Sequence, residues 1–141
     1  MNVFIVGSPL ETAKALDNRR LNKQIIECQQ IIKALMGAYA WANHPCTLQY
    51  KGHEKWLEWY MLTLHYYDIE YDDMAEEANE QALKLTPSFH TQEYFDQMKR
   101  RLFTKDSKLY AQWSHLGTSE VNWYCVEGEW RYYENGKRIN I

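Results

Sequence analysis

Wound on a helix at about 100° per residue, Arg20, Lys23, Gln24, Glu27 and Gln30 fall on one stripe. The stripe holds a single carboxylate among cations and amides. A carboxylate so placed is equipped either for general acid–base chemistry or for a plain ion pair. The helix alone does not choose, and a solvated amphipathic face is the ordinary reading of such a stripe. Other chemistries have less to stand on. The chain has no GxSxG, Walker-type loop, GxGxxG or HExxH, and its five histidines (44, 53, 65, 90, 115) lack ligand spacing. Cys28 falls on an apolar face, which suits a buried structural thiol better than a nucleophile. His53, directly after Gly52 at a helix start, is a further polar candidate, whereas His65 reads as a packed residue.

The element carrying the stripe must be a helix. From Leu16 to Leu35 a second face presents Leu21, Ile25, Cys28, Ile32 and Leu35, which needs a core to cover it. Asp17 or Asn18 can cap this helix, and Met36-Gly37 ends it. Before it, Val3 to Val6 reads as a strand or a buried segment, and Ser8-Pro9-Leu10-Glu11 starts a short helix ending near Asp17. Tyr39 to Tyr50 reads as a loop. Gly52 to about Leu85 reads as one long helix with a break near Tyr71-Asp72-Asp73, its apolar face supplied by Trp56, Trp59, Tyr60, Leu64 and Tyr67. The carboxylates Asp68, Asp72, Asp73 and Glu76 read as a solvated face rather than a metal site. After Thr86-Pro87-Ser88, Thr91 to Phe103 predicts a helix ending in Lys99, Arg100 and Arg101, and Ser107 to Trp113 a further short one. From Val121 the pattern alternates around Glu127-Gly128 and Asn135-Gly136, as in a hairpin or three-strand meander. The expected fold is therefore mainly α, a helical bundle with a small C-terminal β-hairpin or meander, in one domain over residues 1–141.

A length of 141 residues suits one domain with a real core. No apolar run approaches the roughly 18 residues of a membrane span, and no signal peptide is legible. Cys28, Cys46 and Cys125 are odd in number and lack CxxC spacing, so the expectation is reduced thiols in the cytoplasm (of the host, for a viral protein). Six Trp and eleven Tyr either fill a small core or stack on bases. The net charge of −3 is segregated: residues 54–80 carry nine acids and one Lys, whereas residues 99–108 carry five cations and one Asp. A basic face can thus coexist with an acidic back.

In order and spacing together, LDNRRLNKQIIECQQI, NHP, YKGHEKWLEWY and FHTQEYFDQMKRRLFTKDSKLYAQW resemble the pyrimidine-dimer DNA glycosylase/AP-lyase family of the phage endonuclease V type. The resemblance runs over nearly the whole chain and looks closest to the family's bacterial branch. It implies a helical enzyme that uses no metal and no cofactor, works as a monomer on damaged duplex DNA and touches no membrane. It implies an N-glycosylase with AP-lyase activity whose nucleophile is the α-amine of the first residue, acting through a Schiff base on a flipped, damaged pyrimidine nucleotide. By position, the catalytic pair is Met1 and Glu27; Asn2 is bulky, so Met1 is expected to be retained. The DNA-binding set carried over or inferred is Arg19, Arg20, Lys23, Gln30, His53, Arg100, Arg101, Lys105, Trp130 and Tyr132. Ile26 and Gln30 stand where the phage enzyme has an Arg pair, so phosphate contacts fall to Arg19, Arg20, Lys23, Lys105 and Lys108. Two further readings stay open: the same N-glycosidic chemistry on a modified base, free nucleotide or RNA, and a non-catalytic binding module on this fold.

Overall fold

The computed structural model describes residues 2–38, 40–127 and 129–139, without the side chains at 123–126, 130 and 139. Among the described residues, six α-helices and a 3₁₀ helix precede three strands. Helix α1 (Pro9–Ala15) begins with a reciprocal capping box between Ser8 and Glu11. Helix α2 (Asn18–Leu35) is capped by Asp17, whose side chain accepts from the Arg20 N–H. It ends where Gly37 takes φ +106° and the Ala38 N–H reaches back to the Lys33 carbonyl.

The segment expected to be a loop contains a short helix, α3 (Pro45–Gln49). His44 caps it through Nδ1, which accepts from the Cys46 N–H, and Pro45 occupies the first turn, where no amide hydrogen is needed. The long helix is indeed broken, into α4 (Glu54–Asp68) and α5 (Asp72–Leu83). At the break Glu70 takes φ 62° and the Tyr71 N–H bonds the Tyr66 carbonyl, closing α4 with a Schellman-type turn. The acidic residues 68, 72, 73 and 76 are all exposed. So is His65, against the expectation that it packs, because the core face of α4 passes through Trp56, Tyr60, Thr63 and Leu64 instead.

Helix α4 is the hub, packing against α1, α2 and α5. Ala75, Ala78 and Ala82 let α5 approach it closely, and all three are buried. Helix α6 (Gln92–Lys105), capped by Thr91, adds Met98 and Leu102 to the same core. The next helical piece is displaced from its expected start, forming a 3₁₀ helix over Ala111–Leu116. Strands β1 (Val121–Val126), β2 (Glu129–Glu134) and β3 (Lys137–Ile139) form an antiparallel meander. Its second turn uses Asn135 and Gly136 at φ 49° and 82°, the left-handed pair a tight hairpin requires. Glu134 ties the sheet to the helices by accepting from Gln97 at 3.0 Å and from Ser119 at 2.8 Å. Among the described residues, no helix is long and apolar enough to cross a membrane.

The aromatic residues fill the core around α4. Tyr50, Trp56 and Tyr60 stack in series, at 5.6 and 4.9 Å between centroids, and all are buried. His90 packs edge-on to Trp56 and pairs with the Tyr50 hydroxyl at 2.8 Å. Burial depresses the pKa of both His44 and His90 to about 4. Unfolded histidines titrate near 6.5, so the unfolded chain takes up more protons between those values. The stability these neutral rings contribute is present above about pH 6.5 and lost progressively as pH falls towards 4. Urea denaturation across that range is expected to show a falling midpoint before the ordinary carboxylates protonate, and Asn at either position should flatten the trend.

Candidate active site

The N-terminal segment forms neither helix nor strand, and Val3, Phe4, Ile5 and Val6 are all buried. It has no neighbouring strand, so its backbone polar groups must find other partners. Side chains supply them. The Val6 N–H donates to Thr12 Oγ1 at 3.0 Å and the Phe4 N–H to Gln24 Oε1 at 3.0 Å. The Phe4 carbonyl accepts from the Tyr60 hydroxyl, and the Asn2 carbonyl accepts from Gln24 Nε2 at 2.8 Å. The Asn2 N–H points at Glu27 Oε2, 3.3 Å away.

This explains why part of the polar stripe on α2 turns inward. Gln24 is 2 % and Glu27 8 % exposed. Gln24 Nε2 also donates to Glu27 Oε2 at 3.0 Å, so two donors converge on one carboxylate oxygen. Neither donor is a cation. Among the described residues no cation lies within ion-pair distance of Glu27: Arg20 pairs with Asp17 at 3.0 Å and lies over the Tyr110 ring.

A cavity of about 430 Å³ opens over this point, lined by Asn2, Phe4, Gln24 and Glu27 together with Arg19, Arg20, Lys23 and Lys105. Four cations thus surround one carboxylate at a site of the size small ligands occupy. The pKa of Lys105 is held below the usual lysine range, first by partial burial and then by the charges of Arg101, Lys23 and Arg20. At Asp17, burial works to raise the pKa, but the hydrogen bonds from Tyr110 and Arg20 outweigh it and hold the group ionised. A smaller cavity of about 220 Å³ shares Asn2 and Lys105 with the first and is walled by Arg101, Thr104 and the start of β1.

Of the expected site residues, the structure brings together Glu27, Arg19, Arg20, Lys23 and Lys105. Gln30 is exposed and outside this lining, one turn beyond the point where the N-terminal segment covers α2. His53 packs against Tyr50 and Phe89, with ring centroids 6.5 and 5.8 Å away, rather than at the cavity. Arg100 pairs with Glu93 at 2.9 Å, and Lys108 is exposed elsewhere. Arg101, expected in the DNA-binding set, is 5 % exposed and turned inward, where its guanidinium donates to Asn2 Oδ1 at 2.6 Å. Tyr132 is half-buried beside Gln97, its hydroxyl accepting at 3.4 Å. Met1 and the Trp130 side chain lie outside the described residues, as do Gly128 of the first hairpin turn and the Cys125 thiol. Sequence reasoning missed Gln24 and Asn2 as members of the site. The available signal was Gln24 one turn before Glu27 on the same stripe.

Two of the three cysteines, Cys28 and Cys46, are buried free thiols, and burial pushes the Cys46 pKa up to about 12. Neither is a nucleophile at neutral pH. Residues 1–67, which hold the N-terminal segment, α2 and Glu27, match the family described as pyrimidine dimer DNA glycosylase. No curated protein and no solved structure matches the chain.

Proposed function

We propose, from the match of residues 1–67 to the family described as pyrimidine dimer DNA glycosylase, that this chain is a DNA-repair glycosylase whose chemistry runs between a terminal amine and Glu27. The family supports the coarser statement, a glycosylase acting on DNA. The finer reading is an imine mechanism with a following lyase step. One observation supports it above the others: the Asn2 N–H donates to the Glu27 carboxylate at 3.3 Å inside a cation-lined cavity. One residue of chain spans at most about 3.6 Å, so covalent reach alone tethers an amine on residue 1 to the neighbourhood of that carboxylate.

The residues suit the steps. An α-amine has an ordinary pKa of about 8, and surrounding cations favour its neutral, nucleophilic form. Its nitrogen attacks C1′ of the extruded nucleotide, the base departs with the bonding electrons, and loss of an amine proton leaves an aminal; the C1′–O4′ bond then breaks, O4′ takes up a proton, and the protonated imine forms at C1′. Glu27 first balances positive charge on the sugar, then accepts the C2′ proton, and β-elimination expels the 3′ phosphate. Arg19, Lys23 and Lys105 hold backbone phosphates at the rim, which makes binding salt-dependent. A damaged nucleotide costs less to extrude than a sound one.

Borohydride reduction on abasic and on UV-irradiated duplex DNA tests this directly. Wild-type protein is expected to become covalently trapped, and acetylation of the terminal amine should abolish both the adduct and incision. Equal incision by blocked and unblocked protein rules out the amine mechanism. Trapping on abasic DNA without release of damaged bases would leave a lyase and remove the glycosylase step.

A further inference from the structure

Arg101 is 5 % exposed, yet among the described residues no carboxylate lies within 4 Å of its guanidinium. Its contacts are Asn2 Oδ1 at 2.6 Å, Met98 Sδ at 3.4 Å and the Phe4 ring, 5.7 Å below the guanidinium carbon. Burying a cation costs free energy, and a well-packed apolar side chain of similar volume ordinarily does the structural work as well. Burial lowers the Arg101 pKa, but a guanidinium remains charged at any physiological pH. The fold therefore keeps a positive charge inside the protein, spent on one neutral amide oxygen.

That oxygen belongs to Asn2, the residue after the proposed nucleophile. Asn2 is held on three sides: its N–H by Glu27 at 3.3 Å, its carbonyl by Gln24 Nε2 at 2.8 Å and its side chain by Arg101 at 2.6 Å. Two of these contacts come from α2 and one from α6, so the clamp joins two elements across the site. We propose that Arg101 is a positioning residue of the site. Through Asn2 it fixes the peptide N–H of residue 2 against Glu27, and it brings a positive charge to the residue that follows the proposed nucleophile. This rests on the amine mechanism proposed above.

The other charged and titratable groups around this peptide have different parts. Arg20 is neutralised by Asp17, while Lys23 and Lys105 face the open cavity. His44 and Cys46 on the α3 side are held uncharged by burial. Tyr132, Tyr94, Cys46 and the Glu134 carboxylate act on Arg101 electrostatically; Glu134 keeps its charge while accepting from Gln97 and Ser119, and it is not within ion-pair distance. Arg101 is thus the inward-facing cation in direct contact with the terminal peptide.

Two substitutions at Asn2 separate its roles, and both residues are too large to provoke removal of Met1. Asn2→Leu removes the acceptor and releases the clamp. Asn2→Asp keeps an oxygen on Arg101 but neutralises its charge. The readouts are the pH profile of borohydride trapping on abasic duplex DNA and a direct NMR titration of the isotopically methylated terminal amine. Asn2→Leu is expected to lower the plateau trapping rate about tenfold or more with little change in KM, since small misplacements of reacting groups are costly. Asn2→Asp should retain most of the plateau but raise the amine midpoint and the acidic limb of the profile by about half a pH unit or more. Wild-type trapping with both plateau and midpoint unmoved in the variants overturns the positioning role and leaves the amine mechanism intact. If wild-type protein traps nothing, the amine mechanism falls, and the titration decides alone: an unmoved midpoint in Asn2→Asp overturns the role, a raised one supports it.

Discussion

Glu27→Gln is expected to reduce strand cleavage at an abasic site by about 10²–10⁴-fold, the range in which a positioned acid–base group contributes. The amide has the same shape and retains a carbonyl oxygen for the Asn2 N–H, so the N-terminal segment should stay docked. It lacks the two capacities the lyase step needs: a full negative charge opposite the sugar and a site for the C2′ proton. In the proposed mechanism imine formation depends on the amine, so borohydride should still trap this variant while cleavage products are lost. Thermal denaturation close to that of wild type would separate the chemical loss from misfolding. Cleavage within about tenfold of wild type would make Glu27 a structural acceptor for the N-terminal segment and nothing more.

Gln24→Leu is expected to be the most damaging single change to stability near the site. The side chain is 2 % exposed and uses its carbonyl on the Phe4 N–H and its amide on both the Asn2 carbonyl and Glu27. Leucine fills a similar volume but satisfies none of these groups. A buried polar group left unpaired costs about 1–3 kcal/mol, and here the Phe4 N–H and the Asn2 carbonyl both lose their partners. A loss of about 2–5 kcal/mol by urea denaturation follows, together with loss of activity, because Glu27 also loses the 3.0 Å donor that aims it. A cost below about 1 kcal/mol would mean that water or the Tyr60 hydroxyl takes over, and that the segment is held by its apolar side chains alone.

The helices were legible because their signals are local. The Ser8–Glu11 box, Asp17 ahead of α2 and Gly37 behind it each act through backbone groups a few residues away. The alternating C-terminal stretch around Asn135-Gly136 announced its turn in the same way. The missed α3 is only one turn long, too short for periodicity to register, and its cap is a histidine rather than a commoner capping residue. The misjudged His65 shows the limit of reading one helix by itself. Its spacing suits either side of the core face, and only the position of α5 and α1 on α4 decides which side is covered.

The candidate site divides along the same line. The amino-acid sequence alone determined that one carboxylate, Glu27, sits among cations and amides on a capped helix, because charge and spacing within a helix are fixed by its 3.6-residue period. It also identified the N-terminal run as apolar enough to be buried. Only the tertiary structure decided that this run lies across the polar stripe rather than the apolar one, drawing Gln24 and Glu27 inward and leaving Gln30 outside. It alone turned Arg101 from the surface to Asn2, and brought Lys105 at the end of α6 to the cavity over α2. The reason is the unpaired backbone of a segment outside helix and sheet: its N–H and C=O groups had to be met by side chains, and which side chains reach them depends on packing between elements far apart in the chain.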